Sequence, residues 1–306
     1  MRILIISRID PEALDTLRRE HEVEYSPNPS QEQLLQLVPE REILVFRSGV
    51  EITRDVLSHA SDLQLLIRAG SGMDNIDHAY VASKGLRFVR IPEPAAWAVS
   101  EMTFALMLGL ARKILWADAS LRQGRWVKGE YDGALLYGKT LGIVGMGNIG
   151  SRVARLGAAF GMRVIGCVQE RTAPVVSAFA ASDIAVLDLP EVVAQADFLT
   201  IHLPLNDATR GLFGAPLLST IKPGAFLVNL ARGGIVDERA LCQLLRDGKV
   251  AGAGVDVHEV EGNGHVSPLA SFPNVILTPH VGAQVTESQR QIGQRILDLV
   301  RLHAQP

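Results

Sequence analysis

Leu141-Gly142-Ile143-Val144-Gly145-Met146-Gly147-Asn148-Ile149-Gly150 joins a short apolar run to a helical pattern. A G-x-G-x-x-G motif says little alone. Directly after a strand, and opening a helix over Ile149–Phe160, it reads as a phosphate-binding turn. Gly145 permits the tight turn, Gly147 lets a pyrophosphate approach the backbone, and Gly150 lets helix and strand pack closely. The helix start at Asn148 and Ile149 offers N–H groups and the positive end of the helix dipole. The stretch therefore predicts a Rossmann-type parallel α/β domain that holds a dinucleotide.

The strand after this helix, Val164–Val168, bears on which dinucleotide. An acidic residue is expected about 20 positions beyond the glycines, where it holds the ribose 2′-hydroxyl of NAD. Val168 stands there, followed by Gln169-Glu170-Arg171. Glu170 can reach the ribose from two residues later. Arg171 can pair with the 2′-phosphate of NADP, since no acid at 168 repels it. NAD and NADP both stay open on these residues, with a lean to NADP.

Outward from this unit, short β-branched runs alternate with helical patterns along the whole chain. Strands are expected at Ile3–Ile6, Ile43–Phe46, Leu65–Ile67, Phe198–His202, Ala225–Asn229, Gly252–Val257 and Val275–Leu277. Helices are expected at Arg239–Arg246 and Val285–His303, and a long one from Trp97. Alternation of this kind predicts α/β architecture with two doubly wound parallel sheets. Pro92, Pro94 and Pro279 mark the two crossings between units, because proline disfavours helix in the residue before it. The boundaries fall at 1–96 with 281–306, and 97–280.

The 306 residues are 47% hydrophobic and 21% charged, with a net charge of −3. No basic field exists for nucleic acid or an anionic membrane. The two cysteines, Cys167 and Cys242, form no metal or redox spacing, so a cytoplasmic location is expected. The apolar stretch Ala95–Leu115 carries Glu101, Arg112 and Lys113 and reads as a buried helix rather than a membrane span. His258-Glu259-Val260-Glu261 with His265 matches no metal-ligand spacing, so no metal is expected.

Three segments after the glycine loop, each behind a predicted strand, carry the chemistry: Asn229-Leu230-Ala231-Arg232-Gly233-Gly234-Ile235-Val236-Asp237-Glu238, Gly254-Val255-Asp256-Val257-His258-Glu259-Val260-Glu261, and Leu277-Thr278-Pro279-His280-Val281-Gly282-Ala283. With Arg68-Ala69-Gly70-Ser71-Gly72-Met73-Asp74-Asn75-Ile76-Asp77 and His202-Leu203-Pro204-Leu205, they make the chain resemble the D-isomer-specific 2-hydroxyacid dehydrogenases. The likeness is strongest to their phosphoglycerate dehydrogenase branch, in a short form without the regulatory domain, and it extends over essentially the whole sequence.

The resemblance implies a Rossmann domain at 97–280 inserted in a flavodoxin-like substrate domain at 1–96 and 281–306. It implies NAD(P)-dependent interconversion of a D-2-hydroxy acid and its 2-oxo acid in the cleft between them. Arg232 would hold the substrate carboxylate and reacting oxygen, as a planar, always-charged guanidinium suits. Glu261 would orient His280 and favour its charged form. His280 would donate and accept the proton, since its ordinary pKa lies near neutrality. The N–H groups of Gly72 and Met73 would bind the carboxylate. Asp256 would contact the nicotinamide, and His202, Pro204 and Ala231 would line the cofactor. Arg47, after the strand Ile43–Phe46, matches an anion-binding arginine and suggests a phosphate- or phosphonate-bearing substrate. Leu121–Tyr137, with Trp116 and Trp126, suggests a homodimer.

Departures from the family pattern are Val168 for the acid, Ala95 for asparagine, His258 for an aromatic, and Glu261-Gly262 for Glu-Pro. Two rival functions stand beside the dehydrogenase: a dinucleotide-sensing binding protein, and an oxidoreductase acting on formate or phosphite.

Overall fold

The computed structural model describes residues 1–70 and 72–305. It contains two compact units, Met1–Ala98 with Ala283–Pro306, and Val99–Gly282.

The first unit holds β1 (Arg2–Ile5), β2 (Glu22–Tyr25), β3 (Ile43–Phe46), β4 (Leu65–Arg68) and β5 (Arg87–Arg90), all parallel, in the order β2-β1-β3-β4-β5. This is the flavodoxin-like order. Every residue of β3 and β4 is buried, because helices cover both faces. Side chains alternate faces. Ile3, Ile5, Ile43, Val45, Leu65 and Ile67 pack with the helices Pro11–Glu20 and Thr286–Ala304 through Leu17, Ile292 and Ile296. Leu4, Leu44, Phe46 and Leu66 pack on the other side with Leu34, Val56 and Leu57. Helix starts follow local chemistry. Asp10 accepts the Ala13 N–H ahead of Pro11, and Ser30 forms a capping box with Gln33.

The second unit holds β6 (Thr140–Val144), β7 (Arg163–Cys167), β8 (Ala185–Val186), β9 (Phe198–Ile201), β10 (Ala225–Asn229), β11 (Val250–Val255) and β12 (Val275–Leu277). Their order is β12-β11-β10-β9-β6-β7-β8, again all parallel. The order reverses between β6 and β9, the switch point at which ligands bind such sheets. The helix Glu93–Ala111 lays Leu106 and Leu110 against Gly252 and Gly254 of β11. It is the one helix among the described residues long and apolar enough to cross a membrane, and 67% of that apolar window is buried.

The structure adds β2, β5 and β8 to the expected strands. It also starts the long helix at Glu93 rather than Trp97, with Pro94 inside the first turn. Proline is tolerated there because first-turn N–H groups have no intrahelical partner.

Candidate active site

The glycine loop leaves β6 and enters the helix Asn148–Ala159, with Gly147 as its N-cap. Gly145 sits at φ +97°, and a side chain there would come within 2.6 Å of the His202 carbonyl oxygen. A Cβ on Gly150 would collide with the Gly145 carbonyl, whereas one on Gly147 would meet nothing within 4 Å. The backbone is thus compact on its inner side and open at the position where a pyrophosphate would approach.

A cavity of about 260 Å³ adjoins this loop, lined in part by Gly145, Val168, Arg171, Asp188, Pro204 and Thr209. Arg171 Nη1 donates to Asp188 Oδ1 at 2.9 Å. The arginine expected to await a 2′-phosphate therefore already has a counter-ion. Asp188 heads the helix Leu189–Gln195; its D-x-x-E spacing was the signal in the sequence that could have found it. The His202 ring is enclosed, with Nε2 3.2 Å from Thr200 Oγ1 and Nδ1 without a hydrogen-bond partner. Burial pushes its pKa down to about 3, so it stays neutral.

The C-terminal ends of β10, β11 and β12 lie side by side and present Arg232, Asp256 and His280 in turn. Asn229 fixes the first of these turns. Its Oδ1 accepts the Ala231 N–H at 3.0 Å and its Nδ2 donates to the Arg232 carbonyl. Arg232 Nη1 donates to the Ala231 carbonyl at 2.6 Å. The next residue, Gly233, is pressed on the His258 carbonyl so tightly that any Cβ would collide with it. That contact sets the arginine turn directly against the loop carrying Glu261.

Glu261 and His280 meet. His280 Nδ1 lies 2.9 Å from Glu261 Oε2 and 3.1 Å from Oε1. The His258 N–H also reaches Glu261 Oε1, at 3.3 Å, and His258 Nε2 donates to the Thr278 carbonyl at 3.1 Å. Burial works to raise the Glu261 pKa, but the hydrogen bond and charge of His280, with help from His258, outweigh it and hold the carboxyl below its ordinary value. A second cavity, of about 490 Å³, is lined by His258, Glu261, His265, Thr278 and His280 but not by Arg232.

The sign of the Glu261 shift gives a pH prediction. A depressed folded-state pKa contributes stability above the unfolded carboxylate value of about 4.3, lost as pH falls through the folded value. The Glu261 side chain is 43% exposed, so the contribution is below about 1 kcal/mol. Glu261→Gln should melt slightly below wild type near pH 7, and the gap should close below about pH 4. A gap that widens in acid would contradict the pairing.

His280 adopts φ +54°, in the left-handed region. Its N–H donates to the Asp256 carbonyl at 2.7 Å. Asp256, only 1% exposed, accepts from Thr278 Oγ1 at 2.6 Å, from the Val281 N–H at 2.9 Å and from the Gly282 N–H at 2.8 Å. The residue expected at the nicotinamide is thus employed in fastening the loop that carries His280.

In the first unit Arg47 follows β3. Its N–H donates to Ser7 Oγ at 2.9 Å and its Nη1 to Gln289 Oε1 at 2.7 Å. Burial lowers its pKa, though a guanidinium stays charged at any working pH. A residue to which the sequence reading gave no role stands beside it. Arg68 ends the neighbouring strand, is 3% exposed, lies over the Phe46 ring and donates from Nε to Asn75 Oδ1 at 3.2 Å. An arginine closing the apolar run Leu65-Leu66-Ile67 was the available signal. Met73 is partly exposed, and its carbonyl pairs with His78 Nε2 at 2.8 Å.

A family model described as the D-isomer specific 2-hydroxyacid dehydrogenase, NAD binding domain, matches residues 104–282. The chain is 36% identical over 305 residues to a hydroxypyruvate reductase of Thermotoga maritima, covering 98% of this chain and 97% of that one. It is 38% identical over 301 residues to a D-3-phosphoglycerate dehydrogenase of Methanocaldococcus jannaschii, covering 98% of this chain but 57% of the relative. The chain therefore spans a little over half the length of that relative. Among solved structures, the D-lactate dehydrogenase from Aquifex aeolicus complexed with NAD and lactic acid superposes with a TM-score of 0.87 at 26% identity, covering 98% of this chain and 94% of that one.

Proposed function

Because this chain belongs to the D-isomer specific 2-hydroxyacid dehydrogenases, in their phosphoglycerate dehydrogenase-like branch, we propose that it interconverts a D-2-hydroxy acid and its 2-oxo acid with NAD or NADP. The observation that carries this reading is the 2.9 Å contact between His280 Nδ1 and Glu261, at the C-terminal end of the same parallel sheet that bears the glycine loop. With Nδ1–H given to the carboxylate, Nε2 is the nitrogen left to exchange a proton with substrate. In reduction, the imidazolium gives that proton to the carbonyl oxygen of the oxo acid; in oxidation, the neutral ring takes it from the hydroxyl. Glu261 fixes the tautomer by accepting from Nδ1. Arg232 binds the substrate carboxylate and polarises the reacting oxygen.

The cofactor is held at Gly145, Gly147, Asn148, Ile149 and Gly150, with His202, Pro204 and Ala231 around it; the open face at Gly147 fits such a group. When bound, the dinucleotide supplies or receives the hydride. The absence of an acid at Val168 removes one residue that would reject a 2′-phosphate and keeps NADP in play beside NAD, although Arg171 is paired with Asp188. Gly72 and Met73 offer N–H groups to the substrate carboxylate. Arg47 suits an acid carrying a second anionic group such as a phosphate. We further propose a homodimer, since Leu121, Trp126, Leu135 and Tyr137 are all exposed and large apolar side chains favour interfaces. A reducing cytoplasmic setting suits the two free thiols.

The direct test is steady-state NADH and NADPH absorbance with about a dozen 2-oxo acids, phosphorylated ones included. Turnover of at least one is the expected result. Tight cofactor binding with turnover of none would point to a sensor instead.

A further inference from the structure

The cavity beside β7 carries its charge in an arrangement that the glycine loop does not require. Its charged lining residues are Arg171 and Asp188, joined at 2.9 Å. Val168 and Gln169, at the end of β7, add no charge, and the exposed Glu170 is not part of the lining. Asp188 is anchored: it heads the helix Leu189–Gln195, and its N–H donates to Glu191 Oε2 at 3.1 Å. Arg171 sits in the short connection between β7 and the helix Ala173–Ala180. The Asp188 carboxylate, on an anchored backbone, thus pairs with the arginine at the position where the adenosine ribose is bound in folds of this kind.

We infer, on the dinucleotide reading above, that Asp188 is a specificity-determining residue for the cofactor, its carboxylate neutralising Arg171 and setting the balance between NAD and NADP. A 2′-phosphate carries close to two negative charges. To reach Arg171 it must displace Asp188 and then remain beside it, a like charge that weakens the new contact. A ribose 2′-hydroxyl meets no such opposition, because it is neutral and can donate to a carboxylate. The ion pair is exposed on both sides, 46% and 70%. It is therefore weak enough to exchange, and NADP is disfavoured rather than shut out.

The test uses equilibrium binding of NADH and NADPH, read by nicotinamide fluorescence on the full chain. Asp188→Asn removes the charge while keeping a good helix N-cap, and Asp188→Ser is a second neutral cap should the first variant fold poorly. The ratio of the NADPH Kd to the NADH Kd should fall about tenfold in either. Arg171→Gln should raise that ratio, and Asp188→Asn in the Arg171→Gln background should shift it less than about threefold. A ratio within twofold of wild type in both Asp188 variants overturns the inference while leaving the dinucleotide reading intact. A full tenfold shift without Arg171 overturns the neutralisation. Failure of wild type to bind either nucleotide removes the dinucleotide reading itself, and this inference with it.

Discussion

His280→Asn should lower kcat about a thousandfold, in the middle of the range that general acid–base groups contribute, while the NADH Kd moves less than about twofold. Asparagine is the variant of choice because position 280 has φ +54°, where most L side chains are strained and asparagine is among the best tolerated. The loop therefore keeps its shape, and the loss reports proton transfer rather than misfolding. The asparagine amide cannot deliver a proton at neutral pH, so the pH dependence that wild type owes to the imidazole should flatten in the variant. Glu261→Gln should be milder, since the ring keeps a hydrogen-bond acceptor at Nδ1 and loses only the carboxylate charge facing it. A kcat within tenfold of wild type in His280→Asn would remove the histidine from the chemistry.

What the sequence disclosed, and what it withheld, follows from where burial leaves a pattern. β3, β4, β6 and β9 are buried along their length, so they stand out as continuous apolar runs. β2 lies at an edge and reads Glu22-Val23-Glu24-Tyr25, β5 at the opposite edge reads Arg87-Phe88-Val89-Arg90, and β8 is two residues long. Edge strands alternate or shorten, and their charges resemble those of loops. The His280–Glu261 pair was legible only through the family likeness, because no spacing rule places a glutamate in the loop after one strand beside a histidine in the turn after the next. Arg171 was legible as a residue but not as half of an ion pair, since Asp188 reaches it from beyond an intervening helix. Asp256 illustrates the same limit in another form. Its type and place could be read, but its work could not, because three donors converge on it only after the chain has crossed from β11 to β12 and turned through Pro279.

Asp256→Ala should cost the second unit several kcal/mol, lower its melting midpoint by roughly 10 °C and reduce kcat about a hundredfold. All three groups facing the carboxylate are donors in the structure: the Thr278 hydroxyl and the N–H groups of Val281 and Gly282. At 1% exposure the carboxylate, not bulk solvent, is the partner of these donors, and each backbone donor left unpaired in such a place costs about 1–3 kcal/mol. The same donors bracket His280 on both sides in the chain, so their release frees the residue whose Nδ1 must stay on Glu261. A displacement of about 1 Å at a reacting group is enough for a hundredfold loss in rate. Asp256→Asn should restore little. Its oxygen can take over the Thr278 and Val281 contacts, but its amide nitrogen then faces the Gly282 N–H, donor against donor. Hydrogen exchange separates this account from simple core damage, because protection should fall first at Val281 and Gly282 and only later in β10. Uniform loss of protection across the sheet, or an Asp256→Asn protein that melts and turns over like wild type, would show that the loop is held by something other than this carboxylate.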